Sequence, residues 1–169
     1  MPTPAALPAR PAALAFLPAL LFRPERPALY VVTAWALSLV GSLALSALVS
    51  QLAEGQGPTF PKLDAPWLLF NLVVIAPVAE TLIMGAVLLF LERLFGFLPA
   101  LLLSALGWGL AHSALAPAWG LVIWWPFLFF SLSFLVWRRR NLALAFAIPA
   151  LIHALQNLGP ALMLVLGQA

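Results

Sequence analysis

The sequence predicts an all-α fold, a polytopic transmembrane helix bundle of about five spans. Three observations carry that expectation. Hydrophobic residues make up 64% of the 169-residue chain and charged residues only 8%, where a soluble domain carries about 25% charged residues. Mean hydropathy is +1.09. The apolar residues also fall into runs long enough to cross a bilayer, separated by short polar or arginine-bearing stretches.

Charge and cysteine content exclude several function classes. The net charge is +3, from eight basic and five acidic residues. The basic residues Arg10, Arg23, Arg26 and Arg138-Arg139-Arg140 flank apolar runs, which is the pattern of membrane topology signals. No basic, aromatic-interleaved face extends over a domain, so nucleic acid is not an expected partner. The expected partners are membrane lipids and a membrane-associated peptide or protein. There is no cysteine, which rules out disulfides, thiolate metal sites and a cysteine nucleophile. The preference for Ala, Leu, Pro and Arg over Lys suggests a bacterial chain from a GC-rich genome.

Residues 1–27 read as a leader. The stretch from Pro11 to Phe22 is too short to span and is broken by Pro18. Arg23-Pro24-Glu25-Arg26-Pro27 follows without a small-residue cleavage pattern, so a mobile or interfacial cytoplasmic segment is expected rather than a signal peptide. The transmembrane domain is expected over 28–166. Its first span, about Ala28 to Ser50, is roughly 33 Å long at 1.5 Å per residue. Ser38, Gly41, Ser42 and Ser46 suit it to close helix packing. Gln51 to Ala65 is polar and reads as a loop outside the membrane.

The second span, about Pro66 to Leu91, carries Asn71, Pro77, Glu80 and Thr81. Pro77 has no N–H for the Val73 carbonyl, so a kink or opening one turn before Glu80 is expected. The third span, about Phe97 to Leu115, ends in His112. The fourth, about Leu121 to Trp137, has Trp119, Trp124, Trp125 and Trp137 at its ends and suggests an aromatic belt. The fifth, about Leu142 to Leu166, contains Pro149, His153, Gln156, Asn157 and Pro160. Five spans put the leader, Glu92-Arg93 and Arg138 to Arg140 on one side. That side is expected to be cytoplasmic, in a bacterial plasma membrane.

Glu80 is the costly residue. An acidic group at the centre of a lipid-spanning helix is disfavoured by roughly 3 kcal/mol. The two histidines, His112 and His153, lie in other apolar runs. Ionisable residues inside spans point to function when they converge. His153 and Asn157 are four apart, so they share one helix face. An imidazole and a carboxamide placed that way can both aim donors at one oxygen, as an oxyanion hole requires. Gln156 is expected to point elsewhere. Trp108 precedes His112 by four residues and should lie against its ring. Glu80 with His112 could hold and deprotonate a water, while His153 and Asn157 stabilise the oxyanion formed at a carbonyl. Glu80, His112 and His153 are also a possible ligand set for a divalent metal such as zinc, although no HExxH helix is present.

Taken together, three motifs resemble the CAAX prenyl protease and bacteriocin-processing (CPBP, or Abi) intramembrane protease family. Its pattern is Glu-Glu-x-x-x-Arg after a Pro, then an aromatic-x-x-x-His, then His-x-x-x-Asn. Pro77-Val78-Ala79-Glu80-Thr81 is similar to the first, Trp108 to His112 to the second, and His153 to Asn157 to the third. The similarity covers a motif-bearing core of about 66–159. Thr81 stands where the second Glu is usual, and Gly85 where Arg is usual. The resemblance implies an intramembrane endopeptidase using Glu80 and His112 on water, acting on a membrane-associated or lipidated substrate. A noncatalytic scaffold or bacteriocin-immunity relative of the same family is the alternative that Thr81 and Gly85 suggest.

Overall fold

The chain is described by a computed structural model covering residues 10–53, 58 and 63–167. Among these residues there are five long helices and no strand. They are α1 (Pro27–Leu52), α2 (Ala65–Phe95), α3 (Phe97–Ser113), α4 (Gly120–Trp137) and α5 (Leu142–Leu166). All but α3 are long and apolar enough to cross a membrane, and α3 is a shorter apolar helix. The protein is thus a helical membrane bundle. The first nine residues of the leader and most of the 51–65 loop lie outside the described residues.

Short connections make neighbouring helices antiparallel. Gly96 alone separates α2 from α3, at φ +80°, a backbone conformation that side chains other than glycine's disfavour. Asn141 caps α5, its Oδ1 accepting from the amides of Ala143 at 2.7 Å and Leu144 at 3.4 Å. Glu92 at the end of α2 pairs with Arg138 and, at 3.4 Å, with Arg139 in the α4–α5 turn. Arg140 donates to the Pro24 carbonyl at 3.0 Å. The leader, the α2–α3 turn and the α4–α5 turn therefore share one arginine-bearing end of the bundle.

The core is built around α4, which packs against each of the other four helices. In its most apolar stretch 72% of residues are buried within the protein, against 22–28% for α1, α2 and α5. Small residues permit the close contacts. A side chain at Gly120 would strike the Gly109 carbonyl of α3, and one at Gly41 would overlap the Trp125 indole. Trp125 Nε1 donates to the Leu37 carbonyl at 3.1 Å. Among the described residues α1 packs on α4 and α5 but not on α2, so α5 stands between them.

The packing bears on three expectations. From Arg10 onward the leader packs against the bundle. It forms two short 3-10 turns, Ala12–Leu14 and Ala19–Phe22, whose Leu14, Leu17, Leu21 and Phe22 join the core. Tyr30 of α1 donates to the Leu21 carbonyl at 3.2 Å. The prolines that prevent a span also give the chain the turns it needs to fold back. Two of the tryptophans expected in an aromatic belt pack inward instead. Trp137 is fully buried, edge-on to Tyr30 at 5.3 Å, and Trp125 packs on α1. Gln156 does not point away. It accepts from Ser38 at 3.1 Å and donates to Ser42 at 3.2 Å, tying α5 to α1. A carboxamide in lipid must find internal partners, and the serines of α1 supply them.

Candidate active site

Glu80 owes its position to an opening in α2. The helix widens to a π-turn over Asn71–Ile75, directly before Pro77. Within it the Ala76 amide donates to the Asn71 carbonyl instead of to Leu72, its α-helical partner. The next amide belongs to Pro77, which has no hydrogen to donate. The Leu72 carbonyl is thereby left without a backbone donor. Asn157 of α5 fills the vacancy, its Nδ2 donating to that oxygen at 2.9 Å. The expected opening before Glu80 is present, and its freed carbonyl serves as a junction between α2 and α5.

His112 sits at the last turn of α3. Its Nδ1 lies 2.8 Å from the Trp108 carbonyl. A carbonyl only accepts, so Nδ1 carries the hydrogen and the neutral ring keeps a lone pair on Nε2. Trp108 lies 5.9 Å from the imidazole. Trp119 is nearer, edge-on at 4.7 Å, and Phe127 stands at 5.5 Å.

His153 is buried on α5, stacked at 4.5 Å on Phe130 and edge-on to Phe127 at 5.4 Å. Its Nε2 lies 4.0 Å from Glu80 Oε2. Of the two imidazoles, it is His153 that comes within ion-pair distance of the carboxylate. Glu80 Oε2 and His153 Nδ1 are buried with no hydrogen-bond partner among the described residues.

Glu80, His112, His153 and Asn157 all line one cavity of about 620 Å³. Its other walls are largely apolar, from Leu39 and Leu43 of α1, Val122, Ile123 and Pro126 of α4, and Pro160 and Leu164 of α5. A carboxylate, two imidazoles and a carboxamide facing one apolar space can transfer protons and donate hydrogen bonds to a bound carbonyl. Among the described residues, no three His, Cys, Asp or Glu side chains come close enough together to hold a metal ion. The set Glu80, His112 and His153 is therefore not gathered as ligands. His112 spends Nδ1 on the Trp108 carbonyl, and its ring is in contact with Trp119 and Phe127.

The model for the type II CAAX prenyl endopeptidase Rce1-like family matches residues 61–159, more than half of the chain. The chain belongs to that family. No curated protein and no solved structure matches it. The Rce1-like match spans α2 through most of α5 and so contains every residue of the polar constellation, while α1 and the leader precede it. At the level of the Rce1-like family the activity is that of a CAAX-type intramembrane endopeptidase.

Of the two positions where this Rce1-like chain departs from the expected motif, Gly85 has a local physical explanation and Thr81 has none in the structure. Any side chain added at Gly85 would run into the rings of Phe134 and Phe146. The room a longer residue needs is taken by aromatic packing, and the glycine lets α2 approach α4 and α5. Thr81 is buried at 2% exposure, its hydroxyl without a partner among the described residues. Gln156 is the cavity residue that sequence reasoning missed. The signal was available in the serines of α1, four apart at Ser38 and Ser42 and so on one helix face.

Proposed function

We propose that the protein is an intramembrane endopeptidase that hydrolyses a peptide bond of a membrane-associated or lipidated substrate. The observation that carries this reading is the convergence of Glu80, His112, His153 and Asn157, from three helices, on one apolar cavity. Glu80 takes a proton from a water as its oxygen attacks the scissile carbonyl. His112, with Nδ1 fixed on Trp108, offers Nε2 as acceptor for the same water. The oxyanion receives hydrogen bonds from His153 and from the Asn157 amide hydrogen that does not serve Leu72. When the C–N bond breaks, the proton held by Glu80 passes to the departing amine. The arginine-bearing end faces the cytoplasm of a bacterial cell, a reading supported by the positive-inside bias and by the composition of the chain.

The test is cleavage of a farnesylated peptide ending in a CAAX sequence, and of other lipidated peptides, by protein in liposomes. Glu80→Ala and His112→Ala should each lose at least ~100-fold in rate, the lower end of what an acid–base group contributes, with helical content unchanged. Wild-type rates in either variant would refute the assignment.

Thr81, Gly85 and the commitment of Asn157 to Leu72 favour a second reading, a noncatalytic scaffold or immunity factor that keeps the polar residues for helix packing. It requires Glu80→Gln to be silent in complementation and the purified protein to hydrolyse none of these peptides.

A further inference from the structure

α5 turns three polar residues toward the cavity, His153, Gln156 and Asn157, and the proposed reaction uses the first and the last. At about 100° per residue, Asn157 lies about 40° to one side of His153 and Gln156 about 60° to the other. The contacts agree with that arc. Asn157 reaches the Leu72 carbonyl of α2, whereas Gln156 reaches Ser38 and Ser42 of α1. Ser42 lines the cavity together with Gln156, and so does Ser46 one turn further along α1. α1 precedes the 61–159 segment that matches the family, so this part of the wall is built from outside the family's core.

The serines fix the carboxamide in one orientation. Ser38 donates to Gln156 Oε1 at 3.1 Å, and Nε2 donates to the Ser42 hydroxyl oxygen at 3.2 Å. Ser38 is fully buried and lies behind the wall, outside the cavity lining. A primary amide has two hydrogens and a hydroxyl has one. The second Nε2 hydrogen and the Ser42 hydrogen are therefore surplus to the tie between the helices. Polar side chains are scarce in this cavity. Besides Glu80, His112, His153 and Asn157, those among the described lining residues are Ser42, Ser46, Gln156 and Trp119, and Trp119 stands against the His112 ring. A peptide in so apolar a space needs donors for its carbonyls.

We infer that Gln156 and Ser42 form a main-chain subsite, which donates to a substrate carbonyl two residues from the scissile one. Residues three apart on a helix have Cβ atoms about 5–6 Å from each other. In an extended chain, carbonyls two residues apart point the same way and lie about 6.6 Å apart. With the scissile carbonyl at His153 and Asn157, the next carbonyl on that face falls at Gln156. The substrate class is thereby narrowed to a chain that is extended, not helical, around the cleaved bond, because helical carbonyls are already taken by their own amides. The subsite contacts backbone, so it places the chain without selecting its side chains. The identity of the ligand as a substrate rests on the endopeptidase reading.

A farnesylated peptide ending in a CAAX sequence, with a ketomethylene group in place of the scissile amide, keeps the scissile carbonyl and cannot be hydrolysed. Its binding to the protein in nanodiscs should weaken about 10-fold in Ser42→Ala and in Gln156→Leu, the loss of one hydrogen bond of ordinary strength. Ser38→Ala cuts the same interhelical tie behind the wall and should bind within about twofold of wild type, because no donor to the peptide is lost. Two further peptides carry an (E)-alkene in place of the amide whose carbonyl lies two residues before or two residues after the scissile one. One of them should bind wild type about 10-fold more weakly, with a smaller penalty in Gln156→Leu. Equal losses in Ser38→Ala and Ser42→Ala, alkene penalties that are the same in every variant, or no binding of the ketomethylene peptide by wild type overturns the inference. Binding with the expected pattern but no cleavage of the unmodified peptide upholds the subsite and counts against the endopeptidase reading. Cleavage with KM unchanged in Ser42→Ala and Gln156→Leu does the reverse.

Discussion

Removing the Asn157 carboxamide should destabilise the bundle through a single carbonyl, and the effect should depend on Pro77. In Asn157→Ala the Leu72 oxygen loses its only donor among the described residues, because Ala76 is committed to Asn71 and Pro77 has no N–H. A buried carbonyl left without a partner costs about 1–3 kcal/mol. Interhelical hydrogen bonds in membranes average about 0.6 kcal/mol and reach about 1.7, because the unfolded chain in lipid also finds partners; a carbonyl with no second donor belongs at the upper end. The expected loss is therefore about 1–2 kcal/mol. Pro77→Ala restores an amide. If it donates to Leu72, the orphan is satisfied directly. If it donates to Val73, the helix recloses and the Ala76 amide returns to Leu72. Either way the cost of Asn157→Ala in the Pro77→Ala background should fall to about 0.5 kcal/mol or less. The four proteins can be compared by unfolding in mixed micelles of increasing sodium dodecyl sulfate. Additivity within about 0.5 kcal/mol would show that Asn157 does not act through the proline-orphaned carbonyl.

Three further outcomes follow from the packing. Gly85→Ala should destabilise by about 1–3 kcal/mol, the usual cost of overpacking, because its methyl group meets the Phe134 and Phe146 rings; thermal unfolding in detergent reads this directly. Gly41→Ala should push the Trp125 indole off α1 and break its bond to the Leu37 carbonyl, seen as a shift in tryptophan emission with a similar loss of stability. Glu92→Gln should weaken the α2–α3 and α4–α5 turns by about 1.5–3 kcal/mol, the range for hydrogen bonds to charged groups, since Arg138 and Arg139 both reach it; faster hydrogen exchange in those turns is the measurement.

Much of the architecture was legible in the residues. The apolar runs marked five helices to within a few positions, and the arginines marked the end of the bundle they share. Pro77 announced the opening before Glu80, because a missing N–H is a chemical fact of the residue itself. Glu80, His112, His153 and Asn157 stood out because a polar side chain in a span is costly wherever it points. Their pairing was less legible. Chemistry and the family resemblance paired His112 with Glu80, whereas the fold brings His153 to 4.0 Å from Glu80 and sets Trp119 edge-on to His112. Asn157 looked like a free donor, yet one hydrogen serves a carbonyl on a helix 85 positions earlier.

What the sequence by itself determined, then, is the set of helices, the end on which their charges lie and the few polar residues they carry. Each of these depends on the contrast between side chains and lipid, which hydropathy reads directly. Tertiary structure alone decided which helix is central and which side chains meet. Seven of the eighteen residues of α4 are Trp or Phe, but its mean hydropathy of 1.8 falls among the 1.5–2.3 of the other spanning helices and does not mark it as the buried one. In water an apolar face identifies the core, but lipid tails are as apolar as leucine, so both faces of a spanning helix read alike. Steric fit and buried hydrogen bonds must choose between them. Here that choice falls to Gly41 under Trp125, Gly109 against Gly120, Gln156 between two serines and Asn157 on the carbonyl that Pro77 sets free.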